Sequence, residues 1–430
     1  MARSSSDALL VEPNRPPSRV AVVGLGGYAG AHHAVVARLE AAGRLRLVAT
    51  CDPRAEAQTS QCATLAFVAR GVRVYPDHHA LLAAHAHELD LIVLPTPIGL
   101  HAAMHRDAVA AGVPVYLEKP PTLDPEELES MLAVERGARR PTFVGFNHCA
   151  EPARLALKRR LLNGEFGAPR EFRLLGLWPR PERYFTRVAW AGRLLDPGDG
   201  RPMPDSCLGN ALAHHVHNLL LWAGRDGVRA WADVVEARAR LLRAHAIRAP
   251  DTVFIAARTA DGLPLRIALS HACDGVGRHE ESVVCERATV RYITRHEARV
   301  EWRDGHVERF ATAASDPLED NYTACLAALA AADGRPPVTL GDTRPFVRLH
   351  ALAYLAAAEI EMIAAPLAGV RRDAATGDTF RVIHDIDVLA ADFLADERWP
   401  WSVLGPSRRA TCADLPVFAT TIRRLAFEVP

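Results

Sequence analysis

The sequence predicts a two-domain α/β chain: a doubly wound parallel sheet first, then an α/β domain built on a large, mainly antiparallel open sheet. Three observations predict this. At 430 residues the chain is longer than one hydrophobic core usually serves. Up to about residue 146, apolar runs alternate with Ala-rich helical segments, the crossovers that parallel neighbours need. From about residue 228, strand-like runs follow one another without helices between them, as antiparallel neighbours do.

Taken in order, residues 1–17 are rich in Ser, Pro and Arg and read as a flexible leader without the apolar core of a signal peptide. The first domain spans residues 18–146. RVAVVG is its first strand and YAGAHHAVVARLEAAG the helix after it; RLVATCD, LDLIVLPTP and PVYLEKP are later strands, and PTFVGF (141–146) closes the sheet. The second domain spans residues 147–375. It opens with a helix ending at Gly164 and a strand, REFRLLGLW. Residues 178–207, rich in Pro, Arg, Gly and aromatics, form a long functional loop. LGNALAHHVHNLLLWAG (208–224) reads as one helix ending at Gly224. TVFIAAR, LPLRIALSH, ESVVCE, ATVRYIT, ARVEWR and VERFAT alternate as strands do, and helices follow near 318–332 and 343–365. Residues 376–430 form a tail, with a helix-like VIHDIDVLAADFLA and the pair Trp399 and Trp401, that packs back on the body.

Lys plus Arg and Asp plus Glu both total 51, so the chain carries no net charge. Nucleic acid and anionic membranes, which demand a basic surface, are therefore not expected as main partners. The eight cysteines include no CxxC pair, which argues against a zinc finger or redox motif and for reduced thiols in a cytoplasmic protein. No stretch approaches the roughly 20 apolar residues of a membrane span.

The first functional signal is GLGGYAG (24–30), between the first strand and its helix. Gly24, Gly26 and Ala29 fit G-x-G-x-x-G/A, with Gly27 and Tyr28 inside the loop. The first glycine permits a tight turn, the second lets backbone approach a pyrophosphate, and the small third residue lets helix and strand pack. The phosphates then meet the positive end of the helix. Asp52, at the end of the second strand, suits the adenosine ribose hydroxyls and would repel a 2′-phosphate, which favours NAD. Arg54, two residues on, keeps NADP open; the bland reading of Asp52 is a turn residue before Pro53.

The second signal is LEKPP (117–121) at the carboxyl end of a strand, where ligands of open α/β sheets gather. A partly desolvated Lys119 there can exchange a proton with a substrate oxygen. The third is Asn210-Ala-Leu-Ala-His214-His215-Val-His217-Asn218. An ideal helix puts His214 about 40° from Asn210, His217 about 20° to the other side and His215 near 140°. Imidazole is the usual proton carrier in alcohol oxidation and carbonyl reduction; the alternative is that some of these are core histidines. No acidic or Cys ligand shares this face, so no metal site is expected.

In order, Gly24–Gly30, Asp52, TPIGLH (96–101), EKP (118–120), the helix ending at Gly164 and the Asn210/His214/His217 helix resemble the Gfo/Idh/MocA family of NAD(P)-dependent oxidoreductases, over roughly residues 18–365. In that family the EKP lysine is catalytic and an Asp-x3-His pair completes the site. Lys119 and His214 match, while Asn210 stands where Asp is usual and Cys149 where Arg is frequent. Ile98 replaces a frequent Asn, and His101 is retained. The resemblance adds Thr96, Pro97, His101, Glu118 and Lys119 to the cofactor contacts, and Asn147, Tyr184, Trp190, Arg193 and His217 to the substrate contacts. It implies hydride transfer to or from a secondary alcohol or carbonyl of a sugar, cyclitol or related polyol, with His214 as general acid/base and Lys119 polarising the same oxygen. The W-A-G-R and N-A-x-A-H stretches resemble a subgroup whose substrates are poorly defined. An NAD-dependent glycosidase with no net redox, and a dinucleotide sensor without turnover, remain alternatives. The resemblance also implies a homodimer or homotetramer formed through an exposed sheet face.

Overall fold

Val20, Ala21, Val22 and the whole run Leu91–Leu94 are completely buried, as central strands covered by helices on both faces must be. The computed structural model describes residues 16–312, 315–331, 334–402, 405–406 and 408–428. Residues 1–15 of the expected leader lie outside them. The chain forms two compact units.

The first unit contains the chain up to Glu118 together with Met131–Asn147 and Ser315–Leu340. Its sheet runs β3-β2-β1-β4-β5-β6, from β1 (Ser18–Val23), β2 (Leu45–Cys51), β3 (Arg73–Tyr75), β4 (Leu91–Leu94), β5 (Val115–Leu117) and β6 (Phe143–Val144). All neighbours are parallel. This is the doubly wound order 3-2-1-4-5-6. The expected domain boundary at 146/147 differs from these units in two long-range respects. Helix Pro317–Ala330 belongs to the first unit, because Leu318, Tyr322, Cys325, Leu326 and Leu329 join the apolar core of β1, β2 and helix Ala29–Ala41. Conversely, Lys119–Ser130 belongs to the second.

The second unit is built on ten strands: β7 (Pro169–Leu177), β8 (Val234–Arg243), β9 (Thr252–Thr259), β10 (Pro264–Ser270), β11 (Arg278–Cys285), β12 (Ala288–Ile293), β13 (Glu297–Trp302), β14 (Val307–Ala311), β15 (Ile360–Met362) and β16 (Ala410–Thr411). They form one sheet in the order β14-β13-β12-β11-β7-β10-β9-β8-β15, with β16 also on β8. Only β10–β7 and β15–β8 pair in parallel; the others are antiparallel.

The tail lies on this sheet. Ile386, Ala390, Phe393 and Leu394 of helix Ile386–Asp396, with Trp399, form an apolar cluster with Leu177, Phe254 and Ala268. Over β7, β9 and β10 this sheet face is thus covered by the chain itself. Among the described residues no helix is long and apolar enough to cross a membrane.

Candidate active site

In the first unit, the loop after β1 bends as its glycines require. Gly24 has φ +96° and Gly27 φ +59°, a region that costs side chains other than glycine. A Cβ at Gly26 would meet only the end of the Gln58 side chain. The amides of Gly26, Gly27 and Tyr28 find no acceptor among the described residues, and the first turn of helix Ala29–Ala41 holds no acid. Such a nest of N–H groups at a helix N-terminus fits a pyrophosphate.

Asp52 braces the loop. Its Oδ2 accepts the Leu25 N–H (2.9 Å) and its Oδ1 the Arg54 N–H (2.8 Å). The turn-residue reading and the ribose reading are compatible, since a carboxylate has about four lone-pair sites. The Arg54 side chain is exposed. On the other side of β1, His101 is buried with Nε2 on the Thr96 carbonyl (2.8 Å), while Pro97 is exposed. Glu118 is buried 3.2 Å from His32, whose other nitrogen meets the Tyr322 hydroxyl at 2.8 Å. A Cβ at Gly145 would sit 2.5 Å from the Glu118 carboxylate. Asn147 is also buried here, its Oδ1 accepting no hydrogen bond among the described residues.

In the second unit, three of the expected catalytic residues converge. The half-buried Lys119 donates to the Asn210 main-chain carbonyl (3.0 Å) and stands 3.5 Å from its Oδ1. His214, on the next turn, feels the Lys119 charge. Burial, then His148 and Lys119, push its imidazole well below the ordinary histidine range, so it stands neutral at pH 7.

The backbone here differs from the single helix expected over 208–224. Cys207–Ala211 is a π-helical turn and the α-helix runs only from Ala213 to Ala223. Ser206 caps the turn by accepting the Gly209 N–H (3.0 Å), and Gly209 is tight: a Cβ there would come within about 3 Å of His350, Leu123 and Pro204. The wider turn breaks the 3.6-residue register on which the helical-wheel expectation rested.

His217, expected among the substrate contacts, has both ring nitrogens engaged within the protein. It is completely buried, with Nδ1 receiving the Trp231 indole N–H (3.2 Å) and Nε2 donating to the Asp342 carbonyl (3.3 Å). A neutral imidazole has only those two positions. His215 and Asn218 face a buried carboxylate, Glu281. It accepts from Arg154, from Asn218 (3.0 Å) and from Trp222 (2.8 Å), with His215 3.6 Å away. Burial pushes the Glu281 carboxyl up, but Arg154 and His215 prevail and bring it down to about 2. The helix is also held at its far end, where the buried Lys158 donates to the carbonyls of Leu221 (2.7 Å), Trp222 (2.9 Å) and Gly224.

Of the loop residues, Tyr184 is half-buried with Arg180 and Arg187 stacked on its ring, 4.4 and 3.5 Å from the centroid. Trp190 is half-buried at the edge of this stack, with Arg187 5.7 Å from its ring. Arg193 is exposed and contributes its main chain, whose carbonyl accepts the Asp205 N–H (2.8 Å).

Two site residues escaped the sequence reading. His148 stacks on His214 with ring centroids 4.4 Å apart. Asp205, nearly fully buried, accepts from Asn210 Nδ2 and from the Gly192 N–H, both at 2.8 Å. Burial raises its carboxyl; those two bonds and the charges of Arg187 and Lys119 pull against that rise. One sequence signal did point at the lysines: the chain contains only Lys119 and Lys158, and Arg fills every other basic position apart from His.

Residues 18–146 match the model of an oxidoreductase family with an NAD-binding Rossmann fold, that of Gfo/Idh/MocA proteins. The match marks residues 18–146 as similar to the NAD-binding domain of that family. Similar curated proteins include inositol 2-dehydrogenase 4 of Saccharopolyspora erythraea, 34% identical over 154 residues. UDP-N-acetylglucosamine 3-dehydrogenase of Acidithiobacillus ferrooxidans is 31% identical over 152 residues. Each alignment covers 35% of this chain and 43% of the relative, so the chain matches less than half the length of either. Among solved structures, the WlbA dehydrogenase of Bordetella pertussis, in complex with NADH and UDP-GlcNAcA, superimposes with a TM-score of 0.63. That match has 22% identity and covers 79% of this chain and 96% of the other, a likeness of fold.

Proposed function

We propose that this chain is an oxidoreductase of the Gfo/Idh/MocA kind that transfers hydride between NAD and a secondary alcohol or carbonyl of a sugar, cyclitol or related polyol. The observation that carries the reading is the meeting of Lys119, Asn210 and a neutral His214 in one unit. Gly24, Gly26, Gly27, Tyr28 and Ala29 would hold the pyrophosphate and Asp52 the ribose, and the nicotinamide supplies the hydride acceptor or donor. In oxidation, His214 would take the hydroxyl proton while the Lys119 ammonium hydrogen-bonds the same oxygen; in reduction His214 would return that proton and Lys119 keep its hydrogen bond. Asn210 orients the alcohol, and Tyr184 and Trp190 offer ring faces to a polyol. The names of the similar dehydrogenases support this class of substrate. We further infer a cytoplasmic homo-oligomer assembled elsewhere than on the sheet face that helix Ile386–Asp396 covers.

Absorbance of reduced nicotinamide, followed across a polyol panel with NAD and NADP, tests the reading. Net reduction of NAD with at least one polyol is expected, with calorimetric preference for NAD that narrows in Asp52→Ala. Glycoside cleavage without net reduction, or cofactor binding with neither reaction, would replace it.

A further inference from the structure

Asn210 poses a chemical problem: an amide cannot hold the negative charge that its family counterpart holds beside the lysine and histidine. The hydrogen-bond pattern shows where a charge sits instead. Asp205 Oδ1 lies 2.8 Å from Asn210 Nδ2, and Lys119 Nζ lies 3.5 Å from Asn210 Oδ1. Donor and acceptor rules permit one amide orientation. An ionised carboxylate only accepts, so it must face the NH2 group, and an ammonium only donates, so it must face the oxygen. Asp205 therefore fixes which end of the amide meets Lys119.

Asp205 is itself held rigidly. It is 3% exposed, its Oδ2 accepts the Gly192 N–H, and its main-chain N–H is bonded to the Arg193 and Met203 carbonyls. Gly192 has φ +67°, and a Cβ there would meet Ile247 at 2.9 Å, so this turn is shaped to present its N–H to the carboxylate. A buried carboxylate with two donors and two cations near it is a built counter-charge rather than a stray acid.

We propose that Asp205 is the positioning carboxylate of this site: through Asn210 it orients the amide toward Lys119 and supplies the negative charge that keeps the lysine protonated. The charge has moved five residues along the chain, across the π-helical turn, and acts through an intervening amide. The proposal rests on reading the Lys119 ammonium as the hydrogen-bond donor to the substrate oxygen, so its test reads Lys119 without turnover.

With two lysines in the chain, competitive acetylation by trace acetic anhydride over pH 6 to 11, quantified on the Lys119 peptide by mass spectrometry, gives that side chain's titration in the full-length protein. Asp205→Asn should lower the midpoint by about one pH unit or more, the size expected for loss of a nearby opposite charge. The swap Asp205→Asn with Asn210→Asp, which returns the charge to the other end of the same hydrogen bond, should restore it. Should Asp205→Asn alone fail to fold, the swap decides: a parental midpoint supports the relay and a lowered one overturns it. A midpoint in folded Asp205→Asn within about 0.2 of the parent would also overturn it, leaving Asp205 a structural residue. The polyol panel can fail without touching this result, and this result can fail with turnover intact.

Discussion

The two units carry their chemistry in different materials. In the first, the chemistry is main chain: amides of Gly26, Gly27 and Tyr28 at a helix N-terminus, braced by Asp52 on the Leu25 N–H. In the second it is side chain, drawn from separated stretches at Lys119, His148, Asp205, Asn210 and His214. A main-chain site needs glycines at fixed spacing and little else, whereas a side-chain site needs each donor, acceptor and charge to be matched by the others. The first tolerates drift everywhere but in its loop. The second is exposed to substitution at every member and at the residues behind them.

Single substitutions sharpen this contrast. The largest effect is expected at His214. His214→Ala should lower the rate of the proposed oxidation by about 10²- to 10⁴-fold, the range for a lost general acid/base, with NAD affinity unchanged by calorimetry. His217→Ala, which empties a core position, should leave kcat close to parental and lower the unfolding midpoint instead. The reverse pattern would show that the π-helical turn has been read in the wrong register.

Next comes the support behind that helix. Glu281→Ala takes one of two carboxylates from a completely buried Arg154, leaving Glu151 at 3.3 Å, and removes the partner of Asn218 and Trp222. Breaking a buried pair on one side costs about 3–5 kcal/mol, to be read from denaturant unfolding followed by tryptophan fluorescence. A loss below about 1 kcal/mol, the scale of an exposed ion pair, would mean that Glu281 is not the anchor its contacts indicate.

The smallest effect per residue is a slope. His217, His271 and His350 are completely buried, and burial lowers each to about 3. Their folded values lie below the unfolded one, near 6.5. Their contribution is therefore intact above pH 6.5 and is lost as pH falls from there toward 3. Each adds about 1.4 kcal/mol of lost stability per pH unit inside that window. Unfolding free energies at pH 7.5, 6 and 5 should follow this trend, and His350→Gln should flatten it by one histidine's share. An unchanged slope in that variant would place the titration elsewhere.

What the sequence made legible divides along the same line. The strand, GLGGYAG loop and helix are contiguous, so periodicity and glycine spacing sufficed. Lys119 and His214 were legible because each sits in a short motif. Asp205 was not, since DSCLGN gives no hint that its acid turns back onto Asn210. The π-helical turn left no mark either: CLGNALA reads as ordinary helix, and the residues that make Gly209 obligatory, His350 and Leu123, are distant in sequence. Helix Pro317–Ala330 was legible as a helix but not as part of the first unit, because its apolar face says only that it packs and not on what. The internal partners of His217 were hidden for a related reason. A helix buried all round gives its polar residues partners on every side, so no single face is the functional one.

The scarcity of lysine has a practical consequence. Lys158 is buried under a helix end and its ammonium is lowered to about 7. Of the two lysines, that leaves the half-buried Lys119 as the accessible side-chain amine. Reagents used elsewhere as indiscriminate surface chemistry, such as succinimidyl esters, aldehyde fixatives and amine-coupling resins, become directed probes in this protein. Their accessible side-chain target is the lysine of the candidate site, so a routine biotinylation or immobilisation step doubles as a test of that site.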